Sequence, residues 1–185
     1  MTITLKPGDE RYEDEHDDVD DDDFSNSPIA LTGMTTNILD HKLIERLDVT
    51  LVEHNGIKKL NGTLKHRVDM HALEAEVQVQ IQQFRNKWSR FIDMKFDVCK
   101  FLDGKCKNNQ VLRSILKRFL KSRSLRQKCP VPARHVYVLD LLDVSTSYPD
   151  YLPNVALIAT VNVYTKAHLL WQFNLTGFTK AVIKM

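Results

Sequence analysis

The chain of 185 residues is 43% hydrophobic and carries a net charge of +2, which suits one domain with room for a sizeable core. No apolar run approaches the ~18 residues of a membrane-spanning helix, and the N-terminus lacks the apolar core of about 7–15 residues that a signal peptide needs. The small total hides a split: residues 1–23 hold eleven acids against Lys6 and Arg11, a net −9 that leaves +11 for the rest of a chain totalling +2.

Residues 1–35 read as an acidic tail, with 8–28 nearly free of apolar anchors and therefore expected to be disordered, and residues 36–185 read as the folded domain. The acidic run lacks the alternating ligands and the glycine of a calcium loop. The fold proper is expected to open near Leu43. Asn55-Gly56 is the favoured pair for a two-residue hairpin, and it sets a register in which His54 faces Ile57, Glu53 faces Lys58, Leu51 faces Leu60 and Leu47 faces Leu64. Next, Leu73, Ala75, Val77, Val79 and Ile81 alternate with Glu74, Glu76, Gln78, Gln80 and Gln82, one dry face and one wet, as in an antiparallel sheet.

After a turn near Asn86, residues 88–98 form another strand, with Ile92, Met94, Phe96 and Val98 on its buried face. Val111, Leu112, Ile115, Leu116, Phe119 and Leu120 then recur at helical spacing, with Asn108 or Asn109 placed to cap the start. Three strands close the chain: 135–142, 155–164 and 168–178, the last pointing Leu169, Trp171, Phe173 and Leu175 one way. One amphipathic helix among many strands predicts a mainly β fold, an antiparallel sandwich or cup. The sequence contains no internal repeat.

Chemistry-bearing motifs are few. A bridge to Cys129 from either Cys99 or Cys106 closes a loop of about 25–30 residues, worth roughly 3–4 kcal/mol in the chain-entropy model. A zinc site from the three cysteines and His135 fits no compact ligand spacing, and neither a metal nor another cofactor is expected. His66 and His71 do not share a helix or strand face. The His-Glu-x-x-His, Gly-x-Ser-x-Gly and phosphate-loop motifs are all missing, so an enzyme is not expected. Arg113, Lys117, Arg118, Lys121, Arg123, Arg126 and Lys128 flank the apolar stripe of the helix. They read first as a solvated face, second as a surface for anionic lipid headgroups, and not as a nucleic-acid site, since no stacking motif or recognition fold accompanies them. Asn61-Gly62-Thr63 and Asn174-Leu175-Thr176 are glycosylation sequons that matter if the chain is secreted.

The stretch Asp97-Val98-Cys99-Lys100-Phe101-Leu102, followed by a helix and then Cys129-Pro130, resembles the hallmark of an insect family known as domain of unknown function 1091. Asn61-Gly62 and Trp88 extend the likeness over roughly residues 45–180. The family looks related to the ML lipid-recognition superfamily, which includes the ganglioside activator. The resemblance implies an immunoglobulin-like sandwich of ML type, a secretory route, a link to chemosensation known for some family members, and the pairing Cys99–Cys129. The family's secretory route contrasts with the N-terminus of this chain, where no signal peptide is read.

The leading expectation is therefore non-enzymatic carriage of a lipid or other small apolar ligand. The inward-facing bulk of Leu73, Val77, Val79, Ile81, Met94, Phe96, Val161, Trp171 and Phe173 would line an apolar pocket, with the helix 111–120 as its cover. The rival is a protein- or polyanion-binding module that uses the basic helix and acidic tail. Ligand identity and oligomeric state are not encoded in any motif.

Overall fold

A computed structural model describes residues 29–83, 86–103, 105, 128–144 and 154–179. Within them lie eight strands and one short helix: β1 (Ile29–Ile38), β2 (Ile44–His54), β3 (Ile57–His66), β4 (Glu74–Gln83), β5 (Lys87–Asp97), α1 (Val98–Leu102), β6 (Val136–Leu142), β7 (Ala156–Thr165) and β8 (His168–Thr179). They form two antiparallel sheets, a five-stranded one in the order β1-β8-β7-β4-β5 and a three-stranded one in the order β2-β3-β6. The fold is the expected mainly β sandwich. The helix 111–120 lies outside the described residues.

The hairpin holds the register that its turn dictates. His54 faces Ile57, Glu53 faces Lys58, Leu51 faces Leu60 and Leu47 faces Leu64, and Asn55 and Gly56 both adopt the positive φ of a type I′ turn, 51° and 73°. Gly62 sits where β3 crosses closest to β2: a Cβ there would meet the backbone of Asp48 and lie 2.6 Å from Val49 Cα.

In the larger sheet the alternation in β4 sets the inner face. Ala75 stands between Phe96 and Val163, Val77 between Met94 and Val161, and Val79 between Ile92 and Ala159. The row continues into β8 with Trp171, Phe173 and Leu175, and into β1 with Ile38, Thr36 and Met34. Burying each large aliphatic side chain in this layer is worth about 1.5–3 kcal/mol, which dominates the stability of the sandwich. Ile44, Leu170 and Val79 are its most deeply buried apolar members.

Two expectations are corrected here. Among the described residues the fold is already under way at Ile29 rather than opening near Leu43, so residues 29–35, assigned to the tail, belong to β1. A register shift between Leu31 and Gly33 breaks the period of two, which hides the strand from pattern reading. Likewise, Leu169 does not follow Trp171 and Phe173 inward. The register slips between Val163 and Tyr164, Leu169 pairs with the outward Tyr164, and Leu170 fills the core instead.

Candidate functional site

The two sheets differ in width, five strands against three. On one side β1 lies against β2 and β3. On the other, β5 ends the wider sheet. Inner-face residues of β5 and its neighbours accordingly stay half-buried: Val77, Ile92, Met94, Phe96, Val161 and Phe173.

The disulfide marks one end of this inner face. Asp97 ends β5 and caps α1, its carboxylate accepting from the Lys100 amide at 3.0 Å. The single turn of helix turns Cys99 toward Cys129, and the two are bonded with their Cα atoms 5.4 Å apart. Phe101, on the same turn, is buried with its ring 5.3 Å from Phe96. Beyond Cys129, Val131 exchanges backbone hydrogen bonds with Met70, 2.8 and 2.9 Å long, tying the returning chain to the segment between β3 and β4.

The nine residues expected to line a pocket fall on this inner layer, yet they separate into different packing groups. Leu73 is buried in the cluster at the disulfide end, with Phe96, Val161 and Trp171 packed against it. Val79 is buried in a second, central cluster that Val77 and Phe173 join. Ile81 packs on a third, with Ile29, Leu31 and Leu157. Met94 belongs to none of the three, although its register with Val77 turns it inward.

Polar groups at the disulfide end were not anticipated. His66 is 2% exposed and Tyr137 6% exposed, with their rings edge to face at 6.0 Å. Both ring nitrogens of His66, the Tyr137 hydroxyl and Trp171 Nε1 are buried and have no hydrogen-bond partner among the described residues. Burial pushes His66 down from 6.5 to about 4 and Tyr137 up to about 12, so both are neutral near pH 7. A signal was available: Leu60, Leu64 and His66 continue one alternation, and Tyr137 pairs with Leu64.

The outer face of the larger sheet is polar and internally satisfied. Glu76 Oε2 accepts from the Tyr164 hydroxyl at 2.9 Å and from Asn162 Nδ2 at 3.3 Å, and these bonds hold its carboxyl below the usual range. Gln172 donates to Asn162 Oδ1 at 2.7 Å, and the Thr160 hydroxyl to Asn174 Oδ1 at 2.8 Å. The Asn174 sequon thus sits within an amide network on a central strand. Asn61 lies on β3 opposite Thr50. The acidic residues 1–28 and the basic stretch 113–127 lie outside the described residues, and Cys106 with them. No three His, Cys, Asp or Glu side chains converge as metal ligands among the described residues.

Residues 75–156 match the model of a family described as protein of unknown function (DUF1091). The match runs from β4 to the start of β7 and takes in both bridged cysteines. Among curated proteins, none matches the chain.

Proposed function

We propose that this protein binds and carries a lipid or other small apolar ligand between its two sheets, without catalysing a reaction, in the manner of an ML-type sandwich. The observation that carries the reading is the row of half-buried apolar side chains, Ile92, Met94, Phe96 and Phe173, on the inner face of the five-stranded sheet. Apolar groups left half-buried on an inward face gain from any apolar molecule that completes their burial, about 0.8 kcal/mol per methylene of the guest. The Cys99–Cys129 bridge supports a secreted protein, because such bonds persist in oxidising compartments. The likeness to an insect family with chemosensory members extends the proposal to carriage of a chemosensory ligand.

The test is native mass spectrometry of the protein recovered from insect-cell secretion, followed by organic extraction. Added mass that partitions into the solvent as a lipid supports carriage and identifies the ligand class. A folded, secreted and empty protein that takes up neither fatty acids nor hydrocarbons overturns it.

A further inference from the structure

Two buried polar side chains, His66 and Tyr137, lie edge to face at 6.0 Å at the disulfide end of the sandwich, Trp171 packs against the cluster that holds Tyr137, and the polar side-chain atoms of all three have no hydrogen-bond partner among the described residues. His66 and Tyr137 face inward from the three-stranded sheet, next to Ile44 and Leu64. Trp171 faces inward from the five-stranded sheet, beside Ile38 and Val163. Tyr137 belongs to one buried cluster and Trp171 packs against it. Buried donors and acceptors are nearly always paired, so orphans on one cluster call for a partner beyond the described residues. Phenylalanine in place of Tyr137 or Trp171 would fill the core without the unpaired group, which makes the retained polarity a feature to explain.

The inventory of bonding groups defines that partner. Trp171 Nε1 only donates, the Tyr137 hydroxyl donates and accepts, and a neutral imidazole at His66 does one of each. The side chains of the surrounding cluster are otherwise apolar: Ile44, Met70, Leu73, Ala75, Val131, Val163 and Leu170. Among the described residues no ionised side chain is buried there, although the His135 ring lies 4.7 Å from that of Tyr137, and burying an unpaired ion costs far more than burying a dipole. A hydroxyl or carbonyl oxygen can accept from two or three of these donors while adding no charge. From that oxygen an apolar chain has a wall to follow, since the Trp171 and Phe173 rings stack at 5.8 Å and Phe173 opposes Val161, next to Val77.

Building on the carrier reading, we propose that the ligand is an apolar chain ending in a neutral oxygen group, an alcohol, aldehyde or ester, with the oxygen received by Tyr137, Trp171 and His66. The site discriminates by hydrogen bonding at one end and takes the chain along the inner face by apolar contact.

The experiment compares dodecane, dodecan-1-ol, dodecanal and dodecanoate as ligands of the purified full-length protein after delipidation. The chain has two tryptophans, so a Trp88→Phe background leaves Trp171 as the single reporter of the site. The alcohol and aldehyde are expected to bind at least tenfold more tightly than the hydrocarbon and more tightly than the carboxylate. Tyr137→Phe, which removes one hydroxyl, should weaken alcohol binding about tenfold, leave hydrocarbon binding unchanged, and leave the melting temperature of the empty protein unchanged or raised. Trp171→Phe, read by calorimetry, is the second variant and should act the same way. If the hydrocarbon binds and Tyr137→Phe and Trp171→Phe bind every ligand as the parent does, the oxygen site is refuted while carriage stands. Preference for dodecanoate refutes the neutral group. If the parent protein binds none of the four, carriage itself fails and this proposal with it.

Discussion

Lowering the pH should unfold this protein through His66 before its carboxylates matter. The imidazole is held at about 4 in the folded chain against an ordinary value of 6.5, and the cause is burial. Since the folded value is the lower one, the stability tied to a neutral His66 is fully present above pH 6.5. It is lost as pH falls toward 4, because the unfolded chain takes up a proton that the folded chain refuses. Integrating the linkage gives a loss of about 2 kcal/mol between pH 7.5 and 5, rising to roughly 3 kcal/mol below pH 4. Glu45 and Glu76 are held below 4.5, by Lys65 and by Tyr164 with Asn162, so the stability they contribute is present above 4.5 and falls away beneath it, outside that window. The assay is urea unfolding, followed by tryptophan fluorescence, at steps from pH 7.5 to 5. With a slope near 2 kcal/mol per molar, the midpoint should drop by about 1 M. His66→Leu should remove most of that drop and cost little at pH 7.5, because the imidazole it replaces makes no hydrogen bond among the described residues. Parallel pH profiles for the two proteins would refute a buried neutral histidine.

Further expectations probe the bridge, the hairpin and the lining. Replacing both Cys99 and Cys129 by serine should cost about 3.5 kcal/mol by denaturant unfolding, given a sequence separation of 30 residues, and non-reducing peptide mapping should recover the two positions linked. Gly62→Ala should destabilise by at least about 2–3 kcal/mol in the same assay, since its methyl would press on the β2 backbone at Asp48 and Val49 and backbone cannot yield as a side-chain tip does. Val79→Ala, at a position 1% exposed, should cost about 2 kcal/mol. Met94→Ala, outside the buried clusters, should cost under about 1 kcal/mol and weaken binding of an apolar probe instead. A binding defect that tracks stability in both variants would count against Met94 as lining.

Local rules proved legible where one signal set the geometry. Asn55-Gly56 specified a turn whose φ values and loop length leave one register, and every cross-strand pair in the hairpin expected from it is present. In β4 four apolar residues, Ala75, Val77, Val79 and Ile81, alternate with Glu and Gln without a break, so its inner face could be named residue by residue. Reading failed where the period was interrupted. The shift between Leu31 and Gly33 disguised β1, and the slip at Tyr164 put Leu170 rather than Leu169 in the core. The turn α1 is too short to show a helical period, although Asp97 three residues before Lys100 is a capping signal. The site divides in the same way. Its apolar face follows from alternation, while its polar end depends on two strands from different sheets facing one another, a tertiary fact that no single stretch of sequence contains.

That polar end also separates a binding site from a filled core by its energetics. A core selected only for stability would replace each orphan, because an unpaired buried polar group costs about 1–3 kcal/mol and phenylalanine or leucine fits in its place. Among the described residues four such atoms lie on His66, Tyr137 and Trp171, and the last two side chains belong to or pack against the cluster that Cys129 also joins. The five-stranded sheet leaves Met94 and Phe96 half-buried on its inner face. Each feature lowers the stability of the empty protein, and an apolar chain with one oxygen at its end would relieve both together. Ligand binding should therefore raise the unfolding midpoint by more than burial of its hydrocarbon alone accounts for, and the excess should vanish in Tyr137→Phe. An excess that survives the loss of the hydroxyl would assign the stabilisation to packing and leave the oxygen without a role.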